Sequence, residues 1–110
     1  MRANGSMLQN EPMQRKYLIA VGLNPAWQKT LLFDEFIPGE VNRAASISTF
    51  PAGKAINFAR ASNSWGCNSM VCHFLGRDTG KKIAEGLKSE KISHFAVWLK
   101  SPTRTCTTCL

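Results

Sequence analysis

Apolar and polar positions follow two different periods along the chain, and each change of period marks a new structural element. The run KYLIAVGL, residues 16–23, is continuously apolar and partly β-branched, which is typical of a strand buried on both faces of a parallel sheet. NSMVCHFLG, residues 68–76, has the same character and predicts a second buried strand. SHFAVWL and TRTCTTCL, near the end of the chain, predict further strands.

Two segments with helical spacing separate these strands. Residues 54–65 predict a helix, with Gly66 as its C-terminal cap. RDTGKKIAEGLKSEK, residues 77–91, predicts an amphipathic helix that is capped by Asp78 or Thr79 and turns Ile83, Ala84 and Leu87 inward. Because strands and helices alternate, we expect an α/β fold with a parallel sheet.

A β-rich excursion precedes the first helix. Pro25 in NPAW ends the first strand, because proline cannot donate a hydrogen bond to a sheet. The runs KTLLFDEF and EVNRAASISTF then have β character, and the turn IPGE, residues 37–40, separates them. The sequence predicts a partly exposed antiparallel pair here, inserted as a small lid over about residues 30–50.

The composition is that of a single ordinary globular domain of 110 residues. Residues 1–15 are polar, so we expect a disordered lead-in there and a fold that covers residues 16–110. Because this segment lacks the apolar core of an export signal, we expect a cytoplasmic location. The longest apolar run is far short of the ~20 residues that a membrane span needs. The net charge is +7, but the lysines and arginines are scattered and not interleaved with aromatic residues. We therefore expect neither a nucleic-acid nor a membrane partner.

The four cysteines raise the question of a zinc site. Cys106 and Cys109 form a CxxC motif, and Cys67 and Cys72 are followed by His73. However, the C-x4-C pair runs into an apolar, strand-like segment in which successive side chains alternate between faces. We expect reduced thiols and no bound metal.

Three polar segments lie at predicted strand ends, namely NPAWQK, AGKAIN and GRDTG. Ligands of open α/β sheets bind beyond the carboxyl ends of the strands, so these segments are expected to share one rim. In AGKAIN, Gly53 allows close backbone approach, Lys54 adds a cation at a helix start and Asn57 can both donate and accept hydrogen bonds. Local chemistry alone leaves open a site for an anionic ligand or a structural strand-to-helix corner. The spacing of a nucleotide P-loop is absent.

Five motifs in order carry a family resemblance: LNPAWQKT, IPGEVNR, AGKAINFARASNSWG, FLGRDTG and TRT. Residues 16–110 thereby resemble the PfkB (ribokinase-like) carbohydrate kinases, in particular the 1-phosphofructokinase and tagatose-6-phosphate kinase branch. The resemblance implies a Rossmann-like α/β domain whose small β lid can form a homodimer. It also implies transfer of a phosphoryl group from ATP, with Mg, to a sugar phosphate such as fructose 1- or 6-phosphate or tagatose 6-phosphate.

The resemblance also implies residue roles. Gly53, Lys54 and Asn57 would contact the sugar, and Arg104 would contact its phosphate. Gln28 occupies a sugar-binding position where the family usually has aspartate, and Thr105 stands where many relatives have asparagine. These two departures affect which sugar phosphate is bound and leave the family resemblance intact.

The family's second signature, a glycine-rich GAGD that ends in the catalytic aspartate, is not in this sequence. Asp34 and Asp78 are the only aspartates, and Asp78 is interpreted as a helix cap. We therefore expect an N-terminal part of a kinase that lacks the nucleotide-binding half, binds neither ATP nor Mg and is inactive alone. The alternative is a non-catalytic module for sugar-phosphate binding or lid-mediated association.

Overall fold

The computed structural model describes residues 18–110, which form two three-stranded sheets and two helices. In chain order the elements are β1 (Leu18–Gly22), β2 (Ala26–Leu32), β3 (Ser46–Ala52), α1 (Lys54–Ser64), β4 (Ser69–Gly76), α2 (Arg77–Ser89), β5 (Ser93–Leu99) and β6 (Arg104–Cys109). The expected disordered lead-in, residues 1–15, lies outside the described residues.

The first sheet has the strand order β1-β4-β5, and both pairings are parallel, so the expected parallel α/β sheet is confirmed. Helices α1 and α2 pack against the same face of this sheet and form one apolar core with it. The expected inward positions Ile83 and Leu87 are fully buried, and Ala84 packs against them. The buried core residues are Ala55, Ile56, Ala59, Val71, Leu75, Ile83, Leu87 and Ile92.

The opposite face of the first sheet is open, which corrects the prediction that β1 and β4 are buried on both sides. Ile19 and Val21 of β1 are 67% and 68% exposed, and Phe95 of β5 is 60% exposed. Only residues that point toward the helices, such as Val71 and Leu75 of β4, are buried. The continuous apolar pattern was read correctly as strand, but within residues 18–110 only one face has helices to cover it.

The second sheet has the strand order β3-β2-β6. Strands β2 and β3 are antiparallel, as expected, and β6 pairs parallel to β2 on its other side. Strand β2 begins at Ala26, immediately after Pro25, which is three residues earlier than the apolar pattern indicates. The IPGE turn is confirmed, because the Glu40 amide donates to the Ile37 carbonyl at 3.3 Å and Gly39 has a left-handed φ of 86°.

The observed ends of the two helices agree only in part with those predicted from the sequence. Helix α1 begins at Lys54, as predicted, and Gly66 follows its last turn with a φ of 84°, which suits the expected cap. The prediction that Asp78 or Thr79 caps α2 is wrong. Strand β4 runs directly into α2, so the N-cap position falls on Gly76, and Asp78 lies inside the first turn without a side-chain capping bond.

The four cysteines are free thiols, and they are spread over the fold, with Cys67 in the connection between α1 and β4. Cys72 lies on β4, whereas Cys106 and Cys109 lie on β6. Within residues 18–110, no three His, Cys, Asp or Glu side chains come together as a metal site. None of the helices in that range is long and apolar enough to cross a membrane.

Candidate functional site

A cavity of about 360 Å³ lies where β1 ends, α1 begins and β6 begins. This volume is within the range of small-molecule pockets in proteins. The position is also the one where open α/β sheets bind ligands, at the carboxyl end of a parallel strand. Its lining residues are Val21, Gly22, Leu23, Asn24, Pro25, Gly53, Lys54, Ala55 and Arg104.

Gly53 makes the corner between β3 and α1 fit against the segment that follows β1. Its φ of 131° is one that side-chain-bearing residues rarely adopt, and a Cβ there would lie 3.1 Å from the Cα of Pro25. Glycine is therefore required for a structural reason. The same close approach puts the first turn of α1, with amide groups that have no partner inside the helix, at the wall of the cavity.

Two cations line this cavity. Arg104 Nη2 donates to the Asn24 carbonyl at 3.2 Å, and its Nη1 lies 2.8 Å from the Cys106 sulfur. Lys54 is exposed at the first position of α1. Among the described residues, no carboxylate forms an ion pair with either side chain. The cavity therefore presents two unneutralised positive charges and a helix N-terminus, which together favour an anionic ligand.

The other two predicted site residues lie outside the cavity lining. Asn57, one turn into α1, accepts a hydrogen bond on Oδ1 from Arg60 Nη1 at 2.9 Å. Gln28 lies in the middle of β2, and its Nε2 donates to Thr108 Oγ1 at 2.9 Å and to the Lys29 carbonyl at 3.2 Å. The structure thus brings Gly53, Lys54 and Arg104 together at the cavity, whereas Gln28 and Asn57 do not line it, although the Asn57 amide donates to the Gly53 carbonyl at 2.8 Å.

The GRDTG segment reaches this rim only through its first residue. The Gly76 amide donates to Thr103 Oγ1 at 2.9 Å, and the Thr103 amide returns a bond to the Gly76 carbonyl at 3.1 Å. A smaller cavity of about 160 Å³ joins Gly76 to Asn24, Pro25 and Arg104. The rest of the segment, residues 77–79, lines a separate surface with Pro102.

Sequence reasoning missed a guanidinium network next to the site. Arg60 donates to both carboxylate oxygens of Glu90, at 2.6 and 2.9 Å, and to the Pro51 carbonyl at 2.9 Å. The hydrogen bond from Glu90 raises the pKa of Arg60, and the hydrogen bond from Arg60 lowers the pKa of Glu90. Arg60 and Glu90 are thirty positions apart in the sequence, and no local pattern indicates that they meet.

The two aspartates of the chain do not come together in the described residues. Asp34 and Asp78 are exposed on different elements, one after β2 and the other in α2, and no acidic cluster forms among residues 18–110.

Comparisons with known proteins agree on the carbohydrate kinases. A family model described as "pfkB family carbohydrate kinase" matches residues 17–110. Tagatose-6-phosphate kinase of Staphylococcus epidermidis is 28% identical over 89 residues, which are 81% of this chain and 29% of that protein.

Two solved structures of phosphofructokinase-2 from Escherichia coli share the fold. The complex with fructose-6-phosphate superposes with a TM-score of 0.77 at 24% identity, over 81% of this chain and 29% of that one. The tetrameric inhibited form superposes with a TM-score of 0.79 at 22% identity, over 87% and 31%. The chain therefore spans less than a third of the length of these proteins.

Proposed function

The chain belongs to the pfkB family of carbohydrate kinases, and we propose that its cavity is part of the sugar-phosphate-binding site of such a kinase. The observation that carries the proposal is the pair of unneutralised cations, Lys54 and Arg104, beside the first turn of α1. A phosphate group suits this arrangement, because its oxygens can accept from a forked guanidinium and from free helix amides at the same time. Tagatose 6-phosphate, fructose 6-phosphate and fructose 1-phosphate are the proposed substrates.

In this proposal Arg104 binds the substrate phosphate, and Gly53 lets the sugar approach the backbone. Asn57 and Gln28 bind hydroxyl groups from the sides. Among the described residues, Asn57 uses its oxygen for Arg60 and Gln28 uses its nitrogen for β6, so one amide donor and one carbonyl acceptor remain for a ligand. Binding by either residue requires a side-chain rotation toward the cavity or a lid movement.

We further propose that the nucleotide half of the kinase lies outside these 110 residues. ATP, with Mg, supplies the phosphoryl group in this family, and positioning and charge neutralisation carry most of that chemistry. The missing acidic cluster among residues 18–110 and the missing GAGD sequence support this proposal. The chain alone is then inactive. The chain spans 29% of its relative, and this short span also fits the alternative proposal. In that alternative the chain is a non-catalytic module that binds a sugar phosphate in the cytoplasm.

The test is calorimetric titration of the 110-residue chain with fructose 6-phosphate, tagatose 6-phosphate and fructose 1-phosphate, and with unphosphorylated fructose. We expect binding of a phosphorylated sugar that weakens at least about tenfold in Arg104→Gln, since a charge-assisted hydrogen bond contributes about 1.5–3 kcal/mol. Lys81→Gln, an exposed cation on α2, is the matched control and should bind normally. Equal affinity for fructose and its phosphates would contradict the proposal.

A coupled assay with ATP and Mg tests the proposal that the nucleotide half of the kinase lies outside these 110 residues. We expect no phosphorylation by the chain alone, and turnover would contradict the proposed division of the kinase. Sugar-phosphate binding without turnover is compatible with both the fragment and the non-catalytic module. The two differ in whether the reading frame continues beyond Leu110 into a GAGD segment, which sequencing of the transcript determines.

We also propose that the second sheet acts as the lid and forms a homodimer. Its far end exposes Ile47, which is paired with the half-buried Leu31 on the same face of the sheet, and this apolar pair is suited to a second copy. Light scattering should show a dimer that dissociates in Ile47→Asp. A monomer at all concentrations would contradict this part alone.

A further inference from the structure

The guanidinium of Arg104 is held by two acceptors that belong to the fold itself. Its Nη1 donates to the sulfur of Cys106 at 2.8 Å, and its Nη2 donates to the carbonyl of Asn24 at 3.2 Å. The two acceptors come from different parts of the chain, since Cys106 lies on β6 and Asn24 follows β1. The plane of the guanidinium is therefore fixed between β6 and the end of β1, at the wall of the cavity.

The sulfur of Cys106 has a fixed position relative to Arg104. The two residues are two positions apart on β6, so their side chains lie on the same face of the second sheet. Cys106 pairs with Gln28 of β2 and is only partly exposed. Cys109 is three positions further along the strand and lies on the opposite face, where it is exposed. Of the two cysteines on β6, only Cys106 can therefore contact the arginine.

Arg104 keeps donors for a ligand while it is held. Arginine has five N–H donors in a planar fork, and the contacts to Cys106 and Asn24 use one on each terminal nitrogen. One N–H on each terminal nitrogen and the N–H of Nε remain, which is enough for a bidentate contact with a phosphate group. A side chain that is already held also loses less conformational freedom when a ligand binds.

We infer that Cys106 is a positioning residue of the candidate site, and that its sulfur orients the Arg104 guanidinium toward the phosphate group of the substrate. This inference rests on the proposed function, because Cys106 acts on the substrate only through Arg104. A thiol suits the role. Its sulfur is a weak acceptor that orients the guanidinium without cancelling its charge. A carboxylate at the same position would hold the arginine more tightly but would neutralise the charge that attracts a phosphate.

Variants at this position test the inference by calorimetric titration with fructose 6-phosphate. Cys106→Val removes the acceptor while it keeps an apolar side chain suited to a strand, and it should weaken binding about threefold to tenfold, as expected for one hydrogen bond. Cys106→Ser keeps an acceptor and should bind within about twofold of the wild type. Cys109→Val, on the same strand and the opposite face, is the matched control and should bind normally. Thermal melts check the fold, and Cys106→Ala replaces Cys106→Val if the larger side chain is not tolerated.

A double variant separates positioning from a general structural effect. In an Arg104→Gln background, Cys106→Val should cause no further loss of affinity, because the sulfur acts only through the guanidinium. The same loss with and without Arg104 would overturn the inference. So would a Cys106→Val variant that binds as tightly as the wild type, or a Cys106→Ser variant that binds as weakly as Cys106→Val.

Side-chain NMR of Arg104 tests the contact without any ligand. Rotation of the guanidinium about its Nε–Cζ bond should be at least about threefold faster in Cys106→Val than in the wild type, because one hydrogen bond that restrains it is gone. Unchanged rotation would overturn the inference whether or not the chain binds a sugar phosphate. Faster rotation in a chain whose wild type binds no sugar phosphate would contradict the proposed function and uphold the contact between the sulfur and the guanidinium.

Discussion

The two sheets have the same number of strands, but they are held in place in different ways. The first sheet is parallel, and Val71 and Leu75 of its central strand are completely covered by two helices. The second sheet is mixed and rich in threonine and serine. It is buried only at Ala26, Pro51 and Ala52, where it meets the helical layer. Hydrophobic burial therefore stabilises the first sheet. The second sheet depends on the backbone hydrogen bonds between its strands and on the packing of the one end that meets the helical layer.

The cavity lies on the boundary between these two regions. Gly53 and Lys54 come from the corner where β3 of the second sheet meets α1, and Arg104 begins β6 of the second sheet. A site built this way has one wall fixed by the core and one wall that can move with the second sheet. Ligand binding and sheet movement are therefore expected to be coupled.

The largest expected effect on the free energy of unfolding comes from making the same substitution, leucine to alanine, once in each sheet. Leu75 of β4 is 1% exposed and Leu32 of β2 is 47% exposed. Leu75→Ala should lower the free energy of unfolding by about 2–5 kcal/mol, because it leaves a cavity in the core. Leu32→Ala should cost less than about 1 kcal/mol. Urea denaturation of both variants measures the difference, and equal losses would contradict the division between the sheets.

Both histidines of the chain lie in the first sheet, on neighbouring strands. His73 is 5% exposed, and its Nε2 lies 3.1 Å from Nδ1 of His94. Burial and, to a smaller extent, repulsion by His94 lower the pKa of His73 to about 4. Burial also lowers the pKa of His94. The pair favours the neutral form, as expected for imidazoles held inside an apolar layer.

Mild acid should therefore weaken the first sheet. A lowered pKa means that the unfolded chain binds the proton more tightly, so the stabilisation is complete above pH 6.5 and is lost as the pH falls through about 4. The loss should reach about 3 kcal/mol, at about 1.4 kcal/mol for each unit of pKa.

Thermal melts of the wild type and of His73→Gln between pH 7 and pH 4 measure this effect. The variant should show a flatter dependence on pH, because it cannot take up the proton. Hydrogen exchange should show that the amides of β4 and β5 lose protection before those of β2. A loss of stability that is the same in wild type and variant would point to other groups.

The sequence predicted the element types well because apolar periodicity reflects which positions face a core. It failed for the second face of β1, since Ile19 and Val21 have the apolar character of a sheet covered on both sides while the described chain covers only one. It also failed for the cap of α2. A cap residue is recognised by its side chain, and β4 enters α2 through Gly76, which has none.

The contact between α2 and the second sheet offers a prediction of intermediate size. A Cβ at Gly86 would lie 2.6 Å from Cγ and 2.9 Å from Cδ of Pro51, whose ring cannot rotate away. Gly86→Val should cost about 1–3 kcal/mol through overpacking, although part of this is offset by the better helix propensity of valine. Ser89→Val, exposed on the same helix, is the control. A variant as stable as the wild type would mean that the second sheet is not anchored at this point.

The candidate site was predictable in part. Gly53, Lys54 and Arg104 belong to motifs that could be quoted from the sequence, and the structure places all three at one cavity. The orientation of Asn57 was not predictable, because it depends on Arg60, and Arg60 depends on Glu90, thirty positions away. Contacts of this kind follow from how α1, β3 and the end of α2 pack, which local pattern does not encode.

The smallest expected effect concerns that network, which connects the two regions. The side chains of Arg60 and Glu90 are about one-third exposed, so solvent screens their interaction even though the hydrogen bonds are bidentate. A double-mutant cycle with Arg60→Met and Glu90→Gln should give a coupling free energy of about 1 kcal/mol that falls in high salt. Arg60→Met should also cost more than Glu90→Gln, because it removes the donor to Pro51 and Asn57 as well. Equal single-variant costs would show that only the ion pair matters and that Arg60 does not hold β3 to the helical layer.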